Sequence, residues 1–194
     1  MKNQENNMER KEEFLNIIRQ DQELMSILKI AEKAHLPNWY IGAGIVRNSV
    51  WDYLHNKTEK TPIRDIDLVY FSDEEINEDK ARKYLEENLP QVEWDFKNSK
   101  HVHEWYKKKK GLSREPLNSS EEDIDNWPET STCIGLRLSG KDILIYAPYG
   151  IDDLMDMIFR RNKTGDEITE EVFNWRVEHK KIAERWPKAK IIYG

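Results

Sequence analysis

The chain has 194 residues, 38% hydrophobic and 35% charged, which is enough for one cored domain with a polar surface. Its net charge of −6 excludes a general attraction to nucleic acid and leaves only local basic patches for such a partner. A single cysteine, Cys133, excludes an intrachain disulfide and reads as a small core residue.

No apolar run approaches the ~18 residues needed to cross a bilayer, so no membrane partner is expected. Residues 1–11 are polar and lack the apolar centre of a secretory signal, which makes the cytoplasm the expected location. Residues 1–7 read as a disordered tail ahead of a single domain over 8–194. Over 8–34, Phe14, Ile17 and Ile18, then Leu24, Ile27, Leu28 and Ala31, recur at helical spacing, with Asp21 placed to start a second helix. A strand over 39–42 runs into the turn Gly42-Ala43-Gly44, and a helix follows over 45–55, carrying Val46, Val50, Trp51 and Leu54 on one side. After a polar loop, 65–71 is the strongest strand of the chain, rich in β-branched and aromatic residues.

Asp73 is placed to cap a helix reaching Asn88, with Pro90 beyond it, and 92–96 alternates as a short strand. Residues 101–110 read as a helix or lid, and a short helix begins near Ser119 and ends by Pro128. Two strands, about 132–138 and 142–147, flank a hairpin at Ser139-Gly140. Gly150 opens a helix through Phe159, Thr169 caps a last helix to Trp186, and 190–193 is a final edge strand.

The informative chemistry is a Gly-containing strand–turn–helix followed by an Asp-x-Asp strand. Residues two apart on a strand share a face, about 6.5–7 Å apart, so Asp65 and Asp67 project together while Ile66 and Leu68 enter the opposite layer. Neighbouring carboxylates repel, and a hard divalent cation resolves the conflict; the competing reading is a capping or salt-bridged pair at a strand edge. Gly42 and Gly44 let backbone amides approach a phosphate at a helix N-terminus. Arg47, in the first turn, either clamps that phosphate or pairs with a carboxylate such as Asp67. His101 and His103 lack further ligands at zinc spacing, and the lysines at 107–110 read as a solvated face or an attraction for a polyanionic acceptor such as RNA.

The run Gly42-Ala43-Gly44-Ile45-Val46-Arg47-Asn48, followed by Asp65-Ile66-Asp67-Leu68, resembles the DNA polymerase β-type nucleotidyltransferase superfamily, within it the tRNA CCA-adding enzymes and bacterial poly(A) polymerases. More of the chain, roughly residues 20–190, is similar to a family of small bacterial nucleotidyltransferase-like proteins. Its pieces here are Trp94-Asp95-Phe96, Trp127-Pro128-Glu129-Thr130, Ala147-Pro148-Tyr149-Gly150 and the closing Arg176, Lys180, Lys181, Arg185 and Trp186. The resemblance implies an α/β (α+β) nucleotidyltransferase fold: a mixed, mostly antiparallel sheet with helices packed on it and helices at both ends. It also implies three carboxylates around two magnesium ions, with manganese an alternative. Asp65 and Asp67 match two of them, and Asp95 matches the third, with Glu93 in reserve. Gly42, Ala43, Gly44, Arg47 and Asn48 would hold the nucleoside triphosphate. The chain departs from the superfamily in having Gly42-Ala43 where two smaller residues are usual, and in a longer spacing to Asp65.

The expected function is metal-dependent transfer of a nucleoside monophosphate to a hydroxyl on a small molecule, a protein or an RNA. One alternative keeps the fold as an inactive nucleotide- or partner-binding protein, and another is a toxin-like transferase acting on tRNA or protein.

Overall fold

The computed structural model describes residues 2–111, 113–164 and 168–193. Helix α1 (Lys2–Gln20) begins inside the segment 1–7 that composition marked as a tail. It meets α2 (Gln22–Lys33) at Asp21, whose carboxylate accepts from the Leu24 N–H at 3.1 Å, so Asp21 starts the second helix as its N-cap. Then follow β1 (Tyr40–Gly42), α3 (Gly44–Leu54), β2 (Asp65–Tyr70), α4 (Glu78–Asn88), β3 (Glu93–Asn98), α5 (Val102–Lys110) and α6 (Ser120–Asp125). The hairpin β4 (Gly135–Ser139) and β5 (Asp142–Tyr146) leads to α7 (Asp152–Met155), β6 (Ile158–Arg160), α8 (Glu170–His179), α9 (Ile182–Arg185) and β7 (Lys190–Ile192).

Three elements differ from the sequence expectation, each for a local reason. Helix α4 starts later because Asn77, not Asp73, is its cap, accepting from the Lys80 N–H at 2.9 Å; Ser72 turns the chain before it. The helix expected from Gly150 to Phe159 stops after one turn, since Met157 takes a left-handed φ of 55° and the chain leaves as β6. The last helix breaks in two because Lys181 is also left-handed, at φ 52°. No glycine marks either break.

The five-stranded sheet has the order β3-β2-β1-β4-β5, antiparallel except for the β2–β3 pair, which is parallel. A second, two-stranded parallel sheet joins β6 to β7. One face of the large sheet carries Ile41, Ile66, Leu68, Tyr70, Trp94, Phe96 and Leu136 into the main core with α1 to α4. The other face is closed only in part: Tyr40 and Val69 pack beneath Ile124 of α6, Trp127 and Cys133. Past that cover lie the acidic residues of β2 and β3. Among the described residues no helix is long and apolar enough to cross a membrane.

Candidate active site

The period of two along β2 sends Ile66 and Leu68 into the core and leaves Asp65 and Asp67 on the open face. Because β3 runs parallel in register, Asp67 lies opposite Asp95 and Asp65 opposite Glu93. Adjacent strands are about 4.8 Å apart, so Asp67 and Asp95 are lateral neighbours. On its other side Asp67 faces Gly42, which has no side chain to intervene. Among the described residues Asp65 and Asp67 accept no side-chain hydrogen bond, and Asp95 meets only the Lys97 ammonium, at 3.5 Å. Burial pushes the Asp67 carboxyl up to about 6; Lys97 pulls it back, while the Asp95 and Asp65 charges add to the rise.

A fourth carboxylate joins from above. Asp123 of α6 is buried, accepts from the Ser99 hydroxyl at 2.9 Å, and is shifted up by burial against the pull of Lys97. Every donor in this group is a carboxylate oxygen, the chemistry a hard divalent cation prefers, and the repulsion at Asp67 is what such an ion relieves. Among the described residues no three acidic, histidine or cysteine side chains are already drawn around one point. The backbone therefore brings Asp65, Asp67 and Asp95 onto one patch, and their side chains stand there unclosed.

The turn divides its glycines between two tasks. A Cβ on Gly42 would lie 2.3 Å from the Ile134 carbonyl oxygen and 2.5 Å from the Trp127 ring, so Gly42 is a packing glycine and does not line the cavity. Ala43 adopts the strained pair φ 55° and ψ −125°, and Gly44, the first residue of α3, faces open space. Arg47 is 2% exposed. Its Nη2 donates to Asn48 Oδ1 at 2.7 Å, while Nε and Nη1 are buried without partners. The guanidinium lies 5.0 Å from the Trp186 ring centre and 5.6 Å from that of Trp51. Burial lowers its pKa to about 10, against the favourable charge of Glu129. The alternative pairing of Arg47 with Asp67 is not made.

These groups line one cavity of about 1090 Å³. Its far wall is α8 with the residues flanking it: Ile168, Val172, Arg176 and Lys180 recur every fourth residue and all face the cavity, and Arg185 joins from α9. Glu129, fully buried, grips Arg176 through both oxygens, with a 3.2 Å contact from Nη2 and a shorter one from Nε, and accepts from Thr132 Oγ1 at 3.1 Å. His101, Trp105, Tyr106 and Arg114 line the side beyond Asp95. Asp123, Glu129, Arg176, Lys180 and Arg185 had no site role in the sequence reading. The four-residue period from 168 to 180 was visible, but not which way it pointed. Asp153, in the first turn of α7, accepts from Thr130 and from Arg160 at 2.9 and 3.1 Å.

A family model described as nucleotidyltransferase matches residues 29–191, most of the chain and all of this site. The chain belongs to the nucleotidyltransferase family. A solved structure described as an NMR structure that reveals a CCA-adding enzyme head domain is 28% identical, with a TM-score of 0.77, over 94% of this chain and 96% of that one. The nucleotidyltransferase fold implied by the sequence is therefore the fold of this chain. A CCA-adding enzyme in complex with ATP is 15% identical, with a TM-score of 0.47, over 89% of this chain and 48% of that one, so this nucleotidyltransferase spans about half of that enzyme. No curated protein matches the chain.

Proposed function

We propose that this nucleotidyltransferase moves a nucleoside monophosphate from a nucleoside triphosphate to an acceptor hydroxyl, using a divalent cation. The observation that carries the reading is Asp67, opposite Asp95 and two residues from Asp65, on a sheet face that opens beside Gly44 and the buried Arg47. Asp65, Asp67 and Asp95 would hold magnesium, or manganese, as one or two ions. Bound there, the metal would neutralise phosphate charge and acidify the acceptor hydroxyl.

The remaining work falls to the chain. The amides of Ala43 and Gly44, at the positive end of α3, receive phosphate oxygens, and the missing side chain at Gly44 gives them room. Arg47, whose Nη2 is held by Asn48, places a fixed positive charge behind the same oxygens. Lys97, beside Asp95, limits the build-up of negative charge around Asp67. The acceptor hydroxyl gives up its proton to solvent water, its oxygen bonds to the α-phosphorus in line, and the bond to the bridging oxygen breaks to release pyrophosphate.

Pyrophosphate release and label transfer, measured with each of the four nucleoside triphosphates, magnesium and a panel of small-molecule, protein and RNA acceptors, test this. Activity in the wild type that disappears in Asp67→Asn supports it; equal activity in the two removes it. The ungathered side chains of the acidic patch favour one competitor, a nucleotide-binding protein without turnover. For that reading calorimetry gives nucleotide binding and no acceptor yields pyrophosphate.

A further inference from the structure

The far wall of the cavity holds more positive charge than the proposed reaction has yet used. Arg176, Lys180 and Arg185 line it, Arg47 of α3 feels the charges of Arg176 and Arg185, and Glu129 is the buried acid among them. Glu129 is committed to Arg176. Asp52, the other acid that Arg47 feels, is committed to Lys57 at 2.8 Å. Lys180 and Arg185 have no carboxylate within ion-pair distance among the described residues, although both are partly buried.

The cations also burden one another: burial, Arg176 and Arg47 together lower the pKa of Lys180, and Arg176 and Arg185 depress that of Arg47. Folding has gathered them at a cost, so a ligand of several negative charges is the chemistry that relieves it. The break at Lys181 makes the gathering possible. A continuous helix would carry position 185 round by about 100° per residue from the ridge of 168, 172, 176 and 180, whereas the left-handed turn returns Arg185 to the cavity.

We propose that Lys180 and Arg185, with Arg176 anchored by Glu129, form a clamp for the polyphosphate end of the nucleotide, opposite the amides of Ala43 and Gly44. This rests on the nucleotidyl-transfer reading of the same cavity and extends it to the C-terminal helices. A monophosphate cannot satisfy the clamp together with Arg47; a di- or triphosphate can. Glu129 is a positioning residue, acting through Arg176.

Calorimetry with ATP, ADP, AMP and inorganic tripolyphosphate tests the clamp on the full chain. The wild type binds ATP and tripolyphosphate far more tightly than AMP. The Lys180→Ala/Arg185→Ala double variant loses at least about tenfold for ATP and tripolyphosphate and keeps its AMP affinity. Lys180→Gln, which keeps most of the apolar stem, shows a smaller loss of the same pattern and serves if the double variant melts early. Equal losses for AMP and ATP, or none for tripolyphosphate, overturn the clamp. Pyrophosphate release separates the two ideas. If Asp67→Asn stops turnover while the double variant keeps the wild-type KM for the triphosphate, the clamp fails and the transfer reading stands. If the clamp behaves as described but no acceptor yields pyrophosphate, the transfer reading fails alone.

Discussion

Two sets of carboxylates occupy this protein, and their surroundings are opposite. Beneath the helical layer, Asp52 accepts from the Thr61 N–H at 2.5 Å, the Thr61 hydroxyl at 2.9 Å and the Trp186 indole at 2.7 Å, besides Lys57. Asp21 has Leu24, Ser49 and Lys60, and Glu129 has Arg176 and Thr132. For all three the donors outweigh burial and hold the pKa below the ordinary value. At the open sheet face, Asp67 of β2 and Asp123 of α6 move the other way, because burial outweighs too few donors. An acid that serves the fold is saturated by the fold. One left short of donors beside a cavity is kept for a partner that arrives from outside.

The largest expected effect comes from removing the unsaturated group. Asp67→Asn should lower the transfer rate by on the order of 10³-fold or more, since the charge that holds the cation is worth several kcal/mol in the transition state. Its melting temperature should stay level or rise, because repulsion with Asp95 and Asp65 is relieved. A fall in melting temperature would erase the contrast with the saturated acids.

Glu129→Gln should do the reverse, costing about 3 kcal/mol in a denaturant titration, as Arg176 and the buried Arg47 lose their counter-charge. An unchanged midpoint would show that Glu129 is not part of the structural set.

The pH profile should separate the sets in one sample. The Asp67 pKa is raised in the fold, so between about pH 4 and 6 the native state holds more protons than the unfolded chain. Stability therefore falls as pH rises through that window, by up to about 3 kcal/mol, and this slope should vanish in Asp67→Asn. The lowered values of Asp21, Asp52 and Glu129 give the opposite slope: their contribution is present above the ordinary carboxylate range and is lost as pH falls below it.

The smallest change tests the turn. Gly42→Ala should cost roughly 1–2 kcal/mol through the clash with Trp127 and Ile134, with nucleotide affinity following stability and not falling ahead of it.

How much of this was legible in the sequence follows from how far each signal reaches along the chain. Asp65 and Asp67 were readable because a strand's alternation is local, and Asp21 because a cap bonds three residues away. Asp95 came from resemblance; its place beside Asp67 depends on the parallel register, which α4 sets and no local pattern encodes. Gly42 was read as a phosphate cradle, yet the Trp127 ring that fills its face comes from the far side of the chain. The helix breaks at Met157 and Lys181 left no trace, since both residues hold left-handed conformations that side chains rarely adopt and that only tertiary packing selects. Glu129 and the α8 cations stayed without a role for the same reason. Their meaning lies in which of several possible partners the fold delivers.

The most direct test of the difference between the two acid sets is cation binding itself. Manganese binding followed by electron paramagnetic resonance, in the presence of a non-hydrolysable triphosphate, should saturate in the wild type. It should be lost in Asp67→Asn and retained in Asp21→Asn, whose cost appears only in the unfolding curve. Manganese binding that survives Asp67→Asn unchanged would contradict the account.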